Sequence, residues 1–74
     1  MTLTQLKYAI TVAECGSMNE AAKELFISQP SLSSSIKDLE TETGVQIFRR
    51  TNRGISLTPQ GEEFLGYERQ VVEQ

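Results

Sequence analysis

A mainly α fold, with three packed helices, a small β-hairpin and a fourth helix, is what this sequence predicts. Three observations carry that prediction. Apolar residues recur at helical spacing over Leu6 to Ala13, Leu32 to Leu39 and Phe64 to Val72. Capping residues and glycines punctuate these stretches. Between the last two lie two short β-prone segments around Thr51-Asn52-Arg53-Gly54.

The first helix opens at Thr2, with Gln5 three residues on to complete a capping box. Leu6, Ala9, Ile10 and Ala13 form its apolar face and Gly16 stops it. Ser17 with Glu20 gives a second capping box, opening a helix from about Met18 to Leu25. Ala21 and Ala22 on that helix are small enough for two helices to cross closely. Phe26 and Ile27 occupy the corner that follows. Ser28 caps a third helix, with Pro30 in its first turn, where a missing N–H is harmless. That helix runs to about Thr43 and ends at Gly44. A short helix, a tight corner and a second helix make a helix-turn-helix.

The two sides of the third helix differ. Leu32, Ile36 and Leu39 face a core, while Pro30, Ser34, Lys37 and Thr41 fall opposite, flanked by Ser31, Ser33 and Asp38. Four serines lower helix propensity with no local return. Short hydroxyls do let a helix sit close against another surface and hydrogen-bond to it, as a helix in a DNA major groove must. After it, Val45 to Thr58 reads as a hairpin carrying Arg49, Arg50 and Arg53. Arginine binds phosphate through two parallel contacts and fits a narrow minor groove. An arginine-tipped hairpin after such a helix makes the fold a winged helix-turn-helix. Thr58 then caps a fourth helix with Pro59 at its first position, and Phe64, Leu65, Val71 and Val72 form a stripe that needs a partner.

Charge agrees by position rather than in total. The net charge is −3, which by itself opposes DNA binding. No acid stands between Glu24 and Asp38, however, and residues 46–61 carry three arginines and no acid. The composition, 38% hydrophobic and 23% charged, is that of a folded soluble chain. No apolar run approaches the roughly 20 residues of a membrane span, so a cytoplasmic chain with no membrane partner is expected. With no histidine, Cys15 as the single cysteine and no glycine-rich phosphate loop, no metal, cofactor or catalytic constellation is expected. Cys15 reads as a small, partly buried residue, and Glu62-Glu63 as a solvated face.

The pattern Ser17-x-x-x-Ala21-Ala22-x-x-Leu25, Ser28-Gln29-Pro30-Ser31-Leu32-Ser33, Ile36-x-x-Leu39-Glu40, Phe48-x-Arg50 and Leu57-Thr58-x-x-Gly61 resembles the N-terminal DNA-binding domain of LysR-type transcriptional regulators. The resemblance covers essentially the whole chain. It implies a winged helix-turn-helix over residues 1–58 and the start of a linker and dimerisation helix over 59–74. It further implies a bacterial regulator whose small-molecule effector acts through a C-terminal domain absent from this stretch. Double-stranded promoter DNA is then the partner, bound by homodimers that assemble into tetramers in the full-length protein. Carried over by position, Gln29, Pro30, Ser33 and Ser34 meet the major groove, Arg53 the minor groove, and Ser17, Ser28 and Thr51 the phosphates. Ser31, on the same outer face, and Lys37 and Arg50, as phosphate-neutralising cations, complete the expected DNA-binding set. Two departures stand out. Many relatives carry arginine where this chain has Ser34, which moves weight onto Gln29 and Lys37. Phe26 stands where other helix-turn-helix proteins often use glycine, which argues against a left-handed corner. A protein-docking winged helix is the alternative function, and salt dependence separates the two.

Overall fold

The computed structural model describes residues 2–52 and 54–73, with side chains through Gly66. Helix α1 is Leu3–Cys15. Thr2 Oγ1 accepts the Gln5 N–H at 3.0 Å and Gln5 Oε1 accepts the Thr2 N–H at 3.1 Å, so the expected capping box is formed. Gly16 ends the helix at φ 68, a conformation that costs glycine little. Leu6, Ala9 and Val12 are buried, with Ile10 and Ala13 at the edge of the core. Val12 lies outside the expected stripe. Helix α1 packs against three other helices, and its buried face is correspondingly broader than the minimal amphipathic template.

Helix α2 is Met18–Leu25. Ser17 Oγ accepts the Glu20 N–H at 3.3 Å, but the expected reciprocal half of that box is replaced: the Glu20 carboxylate lies 3.7 Å from Lys23 Nζ. An exposed carboxylate with a lysine one turn on has a partner of opposite charge, so it turns along the helix. Ala21 and Ala22 are buried at the crossing of α2 with its neighbours.

The corner corrects the sequence reading. Phe26 adopts φ 59 and ψ 39, the left-handed conformation, and is 94% exposed. Its N–H donates to the carbonyls of Ala22 and Lys23, and the Ile27 N–H donates to Ala22 O at 3.1 Å. A left-handed residue satisfies the last carbonyls of α2 and turns the chain sharply. A bulky residue accepts a cost of roughly 1–2 kcal/mol there, because the turn sets α2 and α3 (Gln29–Thr43) against one another.

Ser28 caps α3, Pro30 lies in its first turn and Gly44 closes it at φ 72. Leu32, Ile36 and Leu39 are buried as expected, and Pro30, Ser34, Lys37 and Thr41 are exposed. Strands β1 (Phe48–Thr51) and β2 (Gly54–Leu57) pair antiparallel, with Phe48 opposite Leu57 and Arg50 opposite Ile55. Side chains alternate along a strand, so Phe48, Arg50, Ile55 and Leu57 share one face of the hairpin and Arg49 lies on the other.

Helix α4 is Pro59–Glu73. Thr58 Oγ1 accepts the Gly61 N–H at 2.9 Å, as an N-cap should. Leu65 is 1% exposed and completes the core. The first turn of α4 lies so close to the chain before β1 that a Cβ on Gly61 would stand 2.1 Å from the Ile47 carbonyl oxygen. Among the described residues, no helix is long and apolar enough to cross a membrane.

Candidate nucleic-acid interface

The serine cap of α3 is internally organised. Ser28 Oγ accepts the Ser31 N–H at 3.2 Å and donates to Ser31 Oγ at 2.8 Å. Two exposed hydroxyls are thereby fixed at the end of the helix where unsatisfied N–H groups and the positive end of the helix dipole lie. Pro30 and Ser34 are exposed beside them, Gln29 and Ser33 half-buried, and Lys37 exposed one turn on.

Two shallow grooves run along this surface and Arg50 lines both. The first lies between the start of α2, the start of α3 and the hairpin, and is bordered by Ser17, Asn19, Gln29, Arg50, Thr51 and Asn52. The second lies between α3 and the hairpin, bordered by Ser33, Lys37, Glu40, Phe48, Arg50 and Ile55. The structure thus gathers Ser17, Gln29, Arg50 and Thr51 around one groove and Ser33 and Lys37 around the next. Ser28, Pro30, Ser31 and Ser34 line neither groove. Asn19 was not singled out from the sequence; its signal was an exposed polar residue just inside a helix start. Arg53 lies outside the described residues.

Of the four residues expected to dimerise, Leu65 packs inside this chain and Phe64 is half-buried beside the core. The side chains of Val71 and Val72 lie outside the described residues.

Three further hydrogen-bond sets fix the hairpin. Glu40 Oε2, projecting from α3, accepts the N–H of Ile47 at 2.7 Å and of Phe48 at 3.1 Å. From the other side, the Thr58 N–H donates to Ile47 O at 2.9 Å, and Thr58 Oγ1 donates to the Gln46 carbonyl. Higher up, the Ile55 N–H donates to Gly16 O at 3.4 Å.

The single cysteine is chemically quiet. Cys15 Sγ donates to Glu24 Oε2 at 3.0 Å. That hydrogen bond first, then partial burial, then the negative charges of Glu24, Glu20 and Glu14 push its thiol up to about 11. Among the described residues no cluster of three metal-ligating side chains occurs.

A three-helix core, its third helix offering an exposed polar first turn beside an antiparallel hairpin, is a winged helix-turn-helix. The chain belongs to the LysR family of bacterial regulatory helix-turn-helix proteins, whose family model matches residues 3–62. It is similar to the HTH-type transcriptional regulator TfdT of Cupriavidus pinatubonensis, 44% identical over 72 residues, covering 97% of this chain and 32% of TfdT. Its fold is similar to that of CbnR, a LysR family transcriptional regulator (TM-score 0.93, 45% identity, 99% of this chain, 25% of that one). It also matches the protein in a crystallised CbnR_DBD–DNA complex, with TM-score 0.92 and 45% identity over 99% of this chain and 84% of that one. The chain therefore spans about a third of TfdT and a quarter of CbnR.

Proposed function

We propose that this chain is the DNA-binding part of a sequence-specific transcriptional regulator, not an enzyme. Residues 1–58 act as the winged helix-turn-helix and residues 59–74 begin the linker and dimerisation helix. Helix α3 enters the major groove of double-stranded promoter DNA with Gln29, Pro30, Ser33 and Ser34 toward base edges. Arg50, Thr51 and Arg53 lie over phosphates and the minor groove, and Ser17, Ser28, Ser31 and Lys37 add contacts along the backbone. Phosphate contacts set position and base contacts select sequence. With Ser34 short and neutral, Gln29 carries more of the base selection, since its amide can pair with adenine through two bonds.

The observation that carries this reading is the exposed, acid-free and hydroxyl-rich start of α3, together with the groove that Gln29 of its first turn shares with Arg50 of the hairpin. The DNA complex of the similar CbnR_DBD supports it. A homodimer through α4 belongs to the same proposal, with Phe64, Val71 and Val72 offered to the second chain and Leu65 retained in the core. The greater length of TfdT and CbnR supports an additional C-terminal domain through which a small-molecule effector acts and the full protein forms tetramers. The proposed location is the cytoplasm.

The test is selection from random duplexes at two salt concentrations. A palindromic site should be enriched, with log affinity falling against log salt by about 0.9 per phosphate contact, and Arg50→Ala should reduce that slope by about one contact. A folded chain that enriches no sequence and shows no salt response overturns the reading in favour of a protein-docking surface.

A further inference from the structure

The segment Gln46 to Phe48 is held from two sides, and one of its holders borders the second groove without being among the DNA contacts just proposed. Glu40 is three residues before the end of α3, and a partly exposed acid there looks like a solvated side chain. Instead its Oε2 accepts two backbone N–H groups, at 2.7 and 3.1 Å, from the residues that lead into β1. Of those two N–H groups, that of Ile47 precedes the hairpin's own pairing and that of Phe48 belongs to its first pair, opposite Leu57. They are also backed by the fully buried Ile47 and the nearly buried Phe48. A carboxylate that accepts backbone N–H groups forms charge-assisted bonds, shorter and stronger than neutral ones.

We infer that Glu40 is the positioning residue that sets the hairpin against the recognition helix. It holds the Arg50-bearing face of β1 at a fixed distance from Ser33 and Lys37, so that one rigid unit reaches base edges and backbone together. The inference rests on the DNA-binding reading above. Thr58 and Gly16 hold the hairpin to α4 and α1; Glu40 alone among these ties it to α3. Its loss therefore changes the hairpin's place relative to the bases without dismantling the core, because its carboxylate contributes nothing to the buried apolar cluster.

Two readouts on the 74-residue chain test this. In the free protein, Glu40→Ala should speed hydrogen exchange at the Ile47 and Phe48 amides by about tenfold or more, the effect of losing hydrogen bonds to a charged acceptor. In the complex, the same variant should lower the salt slope by about 0.9 or more, one phosphate's worth, while the ranking of selected sequences is kept. Glu40→Gln should restore most of both, because one oxygen takes both bonds and an amide oxygen can replace it; its lost charge also controls for electrostatics. Glu40→Asp, which keeps the charge but shortens the reach, carries the same expectations as alanine should the alanine variant not fold.

Unchanged exchange at Ile47 and Phe48 overturns the inference. So does faster exchange with an unchanged salt slope, which would make Glu40 merely structural. A slope and sequence ranking that collapse together in a folded variant also overturn it. Should the unaltered chain show no salt-dependent binding, the DNA-binding reading fails first and this one with it.

Discussion

Gly61→Ala sets two known effects against each other, and the structure decides the sign. Replacing a helical glycine by alanine ordinarily stabilises by roughly 0.5–1 kcal/mol, through lower unfolded-chain entropy and better helix propensity. At Gly61 the added Cβ would stand 2.1 Å from Ile47 O and 2.7 Å from Ile47 C and Cα. Ordinary contact begins at 3.4 Å, so the start of α4 and the segment before β1 must separate by more than an ångström. Both sides are backbone, and the same segment is bonded to Thr58 and Glu40. Separation weakens those bonds and loosens Leu65 in the core. Overpacking of this kind costs about 1–3 kcal/mol, and the added loss of capping takes the net effect to roughly 2–3 kcal/mol destabilising. For a domain of this size that lowers Tm by about 10–20 °C. Gly66 provides the internal control, since it lies on the same helix with nothing within 4 Å of an added Cβ. Gly66→Ala should raise stability by about 0.5–1 kcal/mol. Thermal and urea unfolding followed by circular dichroism measure both. If Gly61→Ala unfolds at or above the parent temperature, the close approach of α4 to Ile47 is wrong.

Phe26→Asn should raise stability by roughly 0.5–1 kcal/mol, because asparagine tolerates the left-handed corner and almost no buried apolar surface is lost; a lower urea midpoint would refute this. Thr58→Val should lower stability by about 1–2 kcal/mol through loss of the cap on Gly61 and of the hydroxyl's bond to the Gln46 carbonyl, and Thr58→Ser should recover most of it. Cys15, with its thiol raised from 9.0 to about 11, should react with iodoacetamide more slowly than an ordinary thiol near neutral pH, by about tenfold or more, since the thiolate is the nucleophile and its greater basicity offsets only part of its lower population. Glu24→Gln should speed that reaction, and equal rates in both proteins would remove Glu24 as the cause.

Local signals in the sequence transferred well to the structure. Thr2, Ser17, Ser28 and Thr58 all cap as their side-chain chemistry implies, and Gly16 and Gly44 end α1 and α3 in the left-handed conformation. The two faces of α3 followed from helical spacing alone. What escaped the sequence depends on residues brought together from afar. Glu40 reaches seven and eight residues along the chain to bind backbone, and no periodicity marks that. Val12 joins the core because three helices surround α1. Phe26 is left-handed because two helices need the corner, against its own local preference. Leu65 turns inward because α4 starts close against Ile47, which only the packed structure reveals. In the candidate site, the residues on the outer face of α3 were legible, whereas the role of Asn19 as a groove border required the hairpin to be set beside α2.

The carbonyl of Gly16 has a wider consequence. By leaving the helical path, Gly16 turns off α1 and so frees an oxygen that the Ile55 N–H takes, while a Cβ on Gly54 would come within 2.8 Å of it. The next residue, Ser17, already caps α2. There is thus no slack in the chain at this joint. Inserting even one residue between Cys15 and Met18 would tilt the hairpin as well as the second helix, although the hairpin lies far along the sequence. Natural variation in length should therefore collect elsewhere, at exposed turns that support nothing beyond themselves.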